Sequence, residues 1–82
     1  MEHRLAIIGI IIEDLNSVEA VNQLLHENGS FILGRMGLPY RERGVNVISV
    51  ILDAPNDTIN TLAGNLGKLK GVTAKAVYSK LA

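Results

Sequence analysis

Hydrophobic and polar positions along the chain fall into two rounds of one pattern. Residues 5–12 are apolar at nearly every position. A period-two split puts Leu5, Ile7 and Ile11 on one side and Ala6, Ile8, Ile10 and Ile12 on the other, which predicts a strand buried on both faces. Glu13 and Asp14 end it. Asn16 with Glu19 three residues later has the spacing of a capping box, so a helix is expected to start there. Val18, Val21, Leu24 and Leu25 form its apolar stripe, Glu19, Asn22, Gln23 and Glu27 face away, and Asn28 with Gly29 supplies a left-handed stop.

The second round begins at Gly44. Over residues 45–53, Val45, Val47, Ser49 and Ile51 alternate with Asn46, Ile48, Val50 and Leu52, again nearly apolar on both sides, which predicts a second central strand. Pro55 starts a turn and Asn56 or Asp57 is expected to cap the next helix. Ile59, Leu62, Ala63 and Leu66 make its buried stripe, Gly67 stops it, and Gly64 within it is expected to permit close packing on the sheet. Between the rounds, residues 30–36 read as a short edge strand interrupted by Gly34. Residues 37–44, with two glycines and Pro39, read as a long hairpin. Residues 72–80 set Val72, Ala74, Ala76 and Tyr78 against Thr73, Lys75 and Ser79, with Val77 the exception, the alternation of an edge strand.

The element order is therefore βαββαβ in one domain spanning residues 1–82. The two most apolar strands are the first and third. A ferredoxin-like α+β fold puts those two in the middle of an antiparallel sheet ordered 4-1-3-2, with both helices on one face. Helices on one face leave the other apolar face uncovered. A homo-oligomer, a dimer or a tetramer, is the expected cover.

Composition narrows the chemistry. The chain of 82 residues is near the lower limit for a self-sufficient core, with 48% hydrophobic but only 4% aromatic residues. Cysteine is absent, which excludes disulfides, thiolate zinc sites, cysteine-bound iron–sulfur clusters and a cysteine nucleophile. A formal net charge of zero gives no global attraction to nucleic acid or an anionic membrane. The longest apolar run is too short to span a bilayer, and a cytoplasmic location is expected. His3 and His26 have no metal-ligand spacing, and no histidine pairs with a nucleophile. No catalytic residue, metal or cofactor is therefore expected, and the chain reads as a non-enzyme. The glycines at 64, 67 and 71 lie at the end of a helix and before a strand, whereas a phosphate loop needs them after a strand and opening a helix.

The informative polar cluster is the hairpin. Arg35, Arg41 and Arg43 flank Tyr40, combining guanidiniums suited to carboxylate or phosphate with a ring that can stack. With Asn56 and Asp57 at the second turn, these residues are the candidate ligand- or partner-binding set. Direct nucleic-acid binding is disfavoured, because a single basic hairpin supplies few phosphate contacts and no helix-turn-helix pattern is present.

Arg35, Gly37, Pro39 and Arg41 in the hairpin resemble the markers of the small proteins described as regulators of the iron-only hydrogenase system. So do Asn56, Asp57, Thr58, Ile59, Leu62, Gly64, Leu66 and Gly67, then Gly71 and Val72. The resemblance covers almost the whole chain. It implies a ferredoxin-like fold similar to ACT domains and to the C-terminal domain of nickel-responsive repressors, regulatory modules that assemble through their sheets. Lacking cysteine and a matching histidine cluster, the chain does not carry over nickel binding. Its first strand-to-helix turn, Glu13 to Ser17, has no glycine to admit an amino acid against the backbone. The resemblance implies an oligomeric regulator that binds a small-molecule effector or docks on a hydrogenase-system protein. The alternatives are a sensor unrelated to hydrogenase and a regulator of transcription.

Overall fold

Six elements follow one another as β1 (His3–Ile12), α1 (Val18–Glu27), β2 (Ile32–Tyr40), β3 (Val45–Pro55), α2 (Asn56–Gly67) and β4 (Val72–Tyr78). The computed structural model describes residues 2–80. The strands form one antiparallel sheet in the order β2-β3-β1-β4, so the two most apolar strands are central and the fold is ferredoxin-like α+β. This is the expected order, read from the opposite edge.

Register explains the core. Ile8 lies opposite Val50 and Ala76, and Ile10 lies opposite Ile48 and Ala74. Their side chains meet Val21 and Leu25 of α1 and Ile59, Leu62 and Leu66 of α2 in one buried cluster. Ile8, Ile10, Val50, Leu52, Ile59 and Leu66 are wholly shielded from solvent. Burying each such side chain contributes about 1.5–3 kcal/mol, so this layer holds the helices to the sheet.

Several local expectations are corrected. Asn16 does not cap α1: residues Leu15–Ser17 first form a 3-10 turn, capped by Asp14, whose Oδ1 accepts the Asn16 N–H at 3.0 Å. Nor is the end of α1 left-handed. Asn28 has φ −107°, its side-chain amide donates to the Leu24 carbonyl at 2.9 Å, and the chain continues into a second 3-10 turn. Pro55 occupies the cap position of α2, and neither Asn56 nor Asp57 makes a capping bond, since both are already helical. Gly64 allows no close approach, as a Cβ there would meet nothing within 4 Å.

The edge strand is longer than expected. It bulges between Ile32 and Gly34 and then runs on through Gly37 and Pro39 to Tyr40. An edge position tolerates proline because one side of the strand has no ladder to complete. The connection to β3 is therefore only the 3-10 turn Arg41–Arg43 and Gly44, whose φ of +66° favours glycine.

Candidate functional site

Two surfaces stand out, one on each side of the sheet. On the side away from the helices, register places Leu5, Ile7 and Ile11 of β1 beside Val47 and Ile51 of β3. The same face carries Met36, Leu38 and Tyr40 of β2 and Val77 of β4. All nine are exposed, from 38% for Val47 to 72% for Met36. The expectation that β1 and β3 are buried on both faces is therefore not met within one chain, because both helices lie on the same side. At the centre of this face Gly9 sits between Ser49 and Lys75, leaving a shallow floor among the aliphatic side chains.

The candidate residues divide into three places. Arg35 reaches α1, where its Nη2 donates to Asn22 Oδ1 at 2.9 Å. It lines a groove of about 230 Å³ with Val18, Asn22, Gly37, Leu38, Pro39, Asn46 and Ile48. Arg41 and Tyr40 border an adjoining hollow of about 190 Å³, closed by Leu15 and sharing Pro39 and Asn46 with the groove. Tyr40 Oη donates to Glu42 Oε2 at 3.4 Å, and Arg43 is exposed in the 3-10 turn.

Asn56 and Asp57 lie at the other end of the molecule. β3 is 11 residues long, which separates the hairpin from the start of α2 by about 34 Å. Within one chain the hairpin arginines and the Asn56–Asp57 turn are thus not one site. Asp57 instead borders a cleft of about 390 Å³ between the helices, with Glu27, Asn28, Thr58, Thr61 and Asn65.

His3 approaches Asp53 at 3.7 Å and Phe31 edge-on at 6.1 Å between ring centres, while His26 is exposed. Among the described residues no group of three or more His, Asp or Glu side chains could hold a metal ion. No helix among them is long and apolar enough to cross a membrane.

Sequence reasoning missed Asn22 and Asn46. The signal for Asn46 was its inward parity on β3. The signal for Asn22 was only its spacing on α1, which does not reveal that the edge strand passes beside it.

A family model described as "TM1266-like: Iron-only hydrogenase system regulator, putative" matches residues 4–76. The structure of an uncharacterized protein, TM1266 from Thermotoga maritima, superposes with a TM-score of 0.92 at 39% identity, over 96% of this chain and 100% of that one. A formyltetrahydrofolate deformylase from Pseudomonas putida KT2440 shares the fold at 19% identity and a TM-score of 0.64, over 89% of this chain but 28% of the deformylase. CPII, a nitrogen regulatory PII-like protein from Thiomonas intermedia K12 bound to ADP, AMP and bicarbonate, does so at 15% identity and a TM-score of 0.54. That match covers 96% of this chain and 99% of CPII. No curated protein matches the chain.

Proposed function

The chain belongs to the TM1266-like family, and on that premise we propose that it is an oligomeric regulatory module of an iron-only hydrogenase system, without catalytic activity of its own. The observation that carries the assembly is the open sheet face. Four strands at their usual spacing and length present roughly 600 Å² in projection. That is the scale at which an exposed apolar face marks an interaction surface, and it approaches the roughly 800 Å² per partner of a stable interface. A second copy presents the same flat aliphatic face, and the charged side chains that share it by register are Lys75 on the edge strand β4 and Asp53 near the end of β3, both long or peripheral enough to keep their charge at the rim. The regulatory output then comes from the helix side and the hairpin arginines, which stay outside such a contact and can take an effector or a protein partner.

Sedimentation of the purified chain at micromolar concentration tests the assembly. No monomer is expected, and a monomer throughout overturns it. Removing the protein from a host that carries the hydrogenase tests the regulatory role: hydrogenase activity or abundance should change, and an unchanged level under inducing and non-inducing conditions overturns that role.

A further inference from the structure

The groove between α1 and β2 is where the pattern of the fold is broken. A strand lying under helices ordinarily presents an apolar side chain at every inward position. On β2 the inward positions after Ile32 are Arg35, Gly37 and Pro39, paired with Val50, Ile48 and Asn46. None of the three supplies a core aliphatic, and the neighbouring inward position of β3 is Asn46. By register the large apolar residues of β2, Met36, Leu38 and Tyr40, fall on the opposite face, and of these only Leu38 also borders the groove. Three features of the gap follow. Val18 and Ile48 make an apolar floor, Asn22 and Asn46 supply amides, and Arg35 stands at the rim.

Only one of the five guanidinium N–H groups of Arg35 is engaged among the described side chains, by Asn22. The planar fork is thus anchored in orientation yet keeps donors for a second acceptor. Asn46 has no side-chain hydrogen bond among the described residues. One positive charge, two amides and an apolar floor match a singly charged carboxylate on a short hydrocarbon body. A phosphate dianion would ask for more cationic donors than the groove holds.

We propose that this groove binds a small aliphatic carboxylate, its carboxyl group on Arg35 and its hydrocarbon on Val18 and Ile48 above Gly37. The site names the ligand class for the effector half of the reading above, but it lies on the helix side and does not depend on the sheet-face contact.

Gly37 provides the decisive variant. Its φ is not positive, and a Cβ there would meet only Ile48 Cγ1, at the ordinary contact distance of 3.9 Å. Gly37→Val therefore suits the strand and keeps the fold while its methyl groups fill the groove. The experiment titrates the isotope-labelled full chain with sodium acetate, isovalerate and hexanoate, and separately with inorganic phosphate. The backbone and side-chain amide resonances of Asn22, Gly37 and Asn46 are followed. Saturable shifts are expected with isovalerate, weaker ones with acetate, and none with phosphate. Gly37→Val should abolish them, and Arg35→Gln should weaken binding by about tenfold or more, the cost of one charge-assisted pair. The proposal is overturned if no carboxylate shifts these resonances saturably, if phosphate shifts them as well, or if Gly37→Val binds like the parent. It is also overturned if the resonances respond to protein concentration rather than to the probe, which would make the groove an interface between copies. Sedimentation of the same samples reads the oligomer separately, so either idea can fail alone.

Discussion

Gly71 passes so close to Asp14 that a Cβ on the glycine would lie 2.6 Å from the Asp14 Cβ and 2.7 Å from its backbone nitrogen. The contact joins the end of β1 to the start of β4. Glu13 N–H donates to the Gly71 carbonyl at 2.7 Å, and Ser17 Oγ donates to the Lys70 carbonyl at 2.7 Å. With φ at +69°, position 71 meets a steric and a conformational demand that only glycine satisfies.

Gly71→Ala should therefore destabilise the protein by about 2–4 kcal/mol, combining the left-handed cost with overpacking against backbone. For a domain of this size that lowers Tm by roughly 10 °C or more, measurable by calorimetry or circular dichroism. An unchanged Tm would show that the contact relaxes freely.

Gly64→Ala should move stability in the other direction. It lies inside α2 with open space where the Cβ would go, so alanine adds helix propensity without a clash. A gain of up to about 1 kcal/mol is expected in urea denaturation. A loss would mean that the position packs against something outside the chain.

Ser17→Ala and Asp14→Ala test the turn before α1. Ser17 is 8% exposed and its hydroxyl serves the Lys70 carbonyl, while the Asp14 carboxylate serves the Asn16 N–H. Each substitution should cost about 1 kcal/mol in chemical denaturation. Asn16→Ala should cost less, since its side chain caps nothing among the described residues.

Ile7 and Ile51 are opposite partners on the open face, and Ile8 and Val50, one step along, are opposite partners in the core. Ile7→Lys with Ile51→Lys should leave the far-ultraviolet circular dichroism intact and shift sedimentation to the monomer. By contrast, Ile8→Ala should cost about 2–5 kcal/mol of folding stability whatever the oligomeric state. If the lysine pair sediments like the parent protein, the open face is not the assembly surface.

The two central strands, both helices and the outer strand β4 were legible in the sequence because their side chains alternate at strand or helix period, and burial enforces that period locally. Both faces of β1 and β3 are equally apolar as sequence, so parity alone does not say which one the helices cover. Connection geometry decides that, and Ile8 is buried while Ile7 is exposed. The strand β2 was read too short, since Gly37 and Pro39 look like turn residues until the sheet edge makes a proline harmless. The start of α1 moved from Asn16 to Ser17 for a similar reason: the turn at Leu15–Ser17, itself capped by Asp14, is held by the bond of Ser17 to the Lys70 carbonyl, a partner 53 positions away. The sequence supplies the types of the candidate polar residues, but their grouping is a matter of distance. The 11 residues of β3 part Asn56 and Asp57 from the hairpin, whereas the edge strand lying beside α1 brings Arg35 to Asn22 and sets Asn46 in the same groove. Local periodicity determines which face a side chain takes, and only the packing of elements far apart in the chain determines which polar groups share a space.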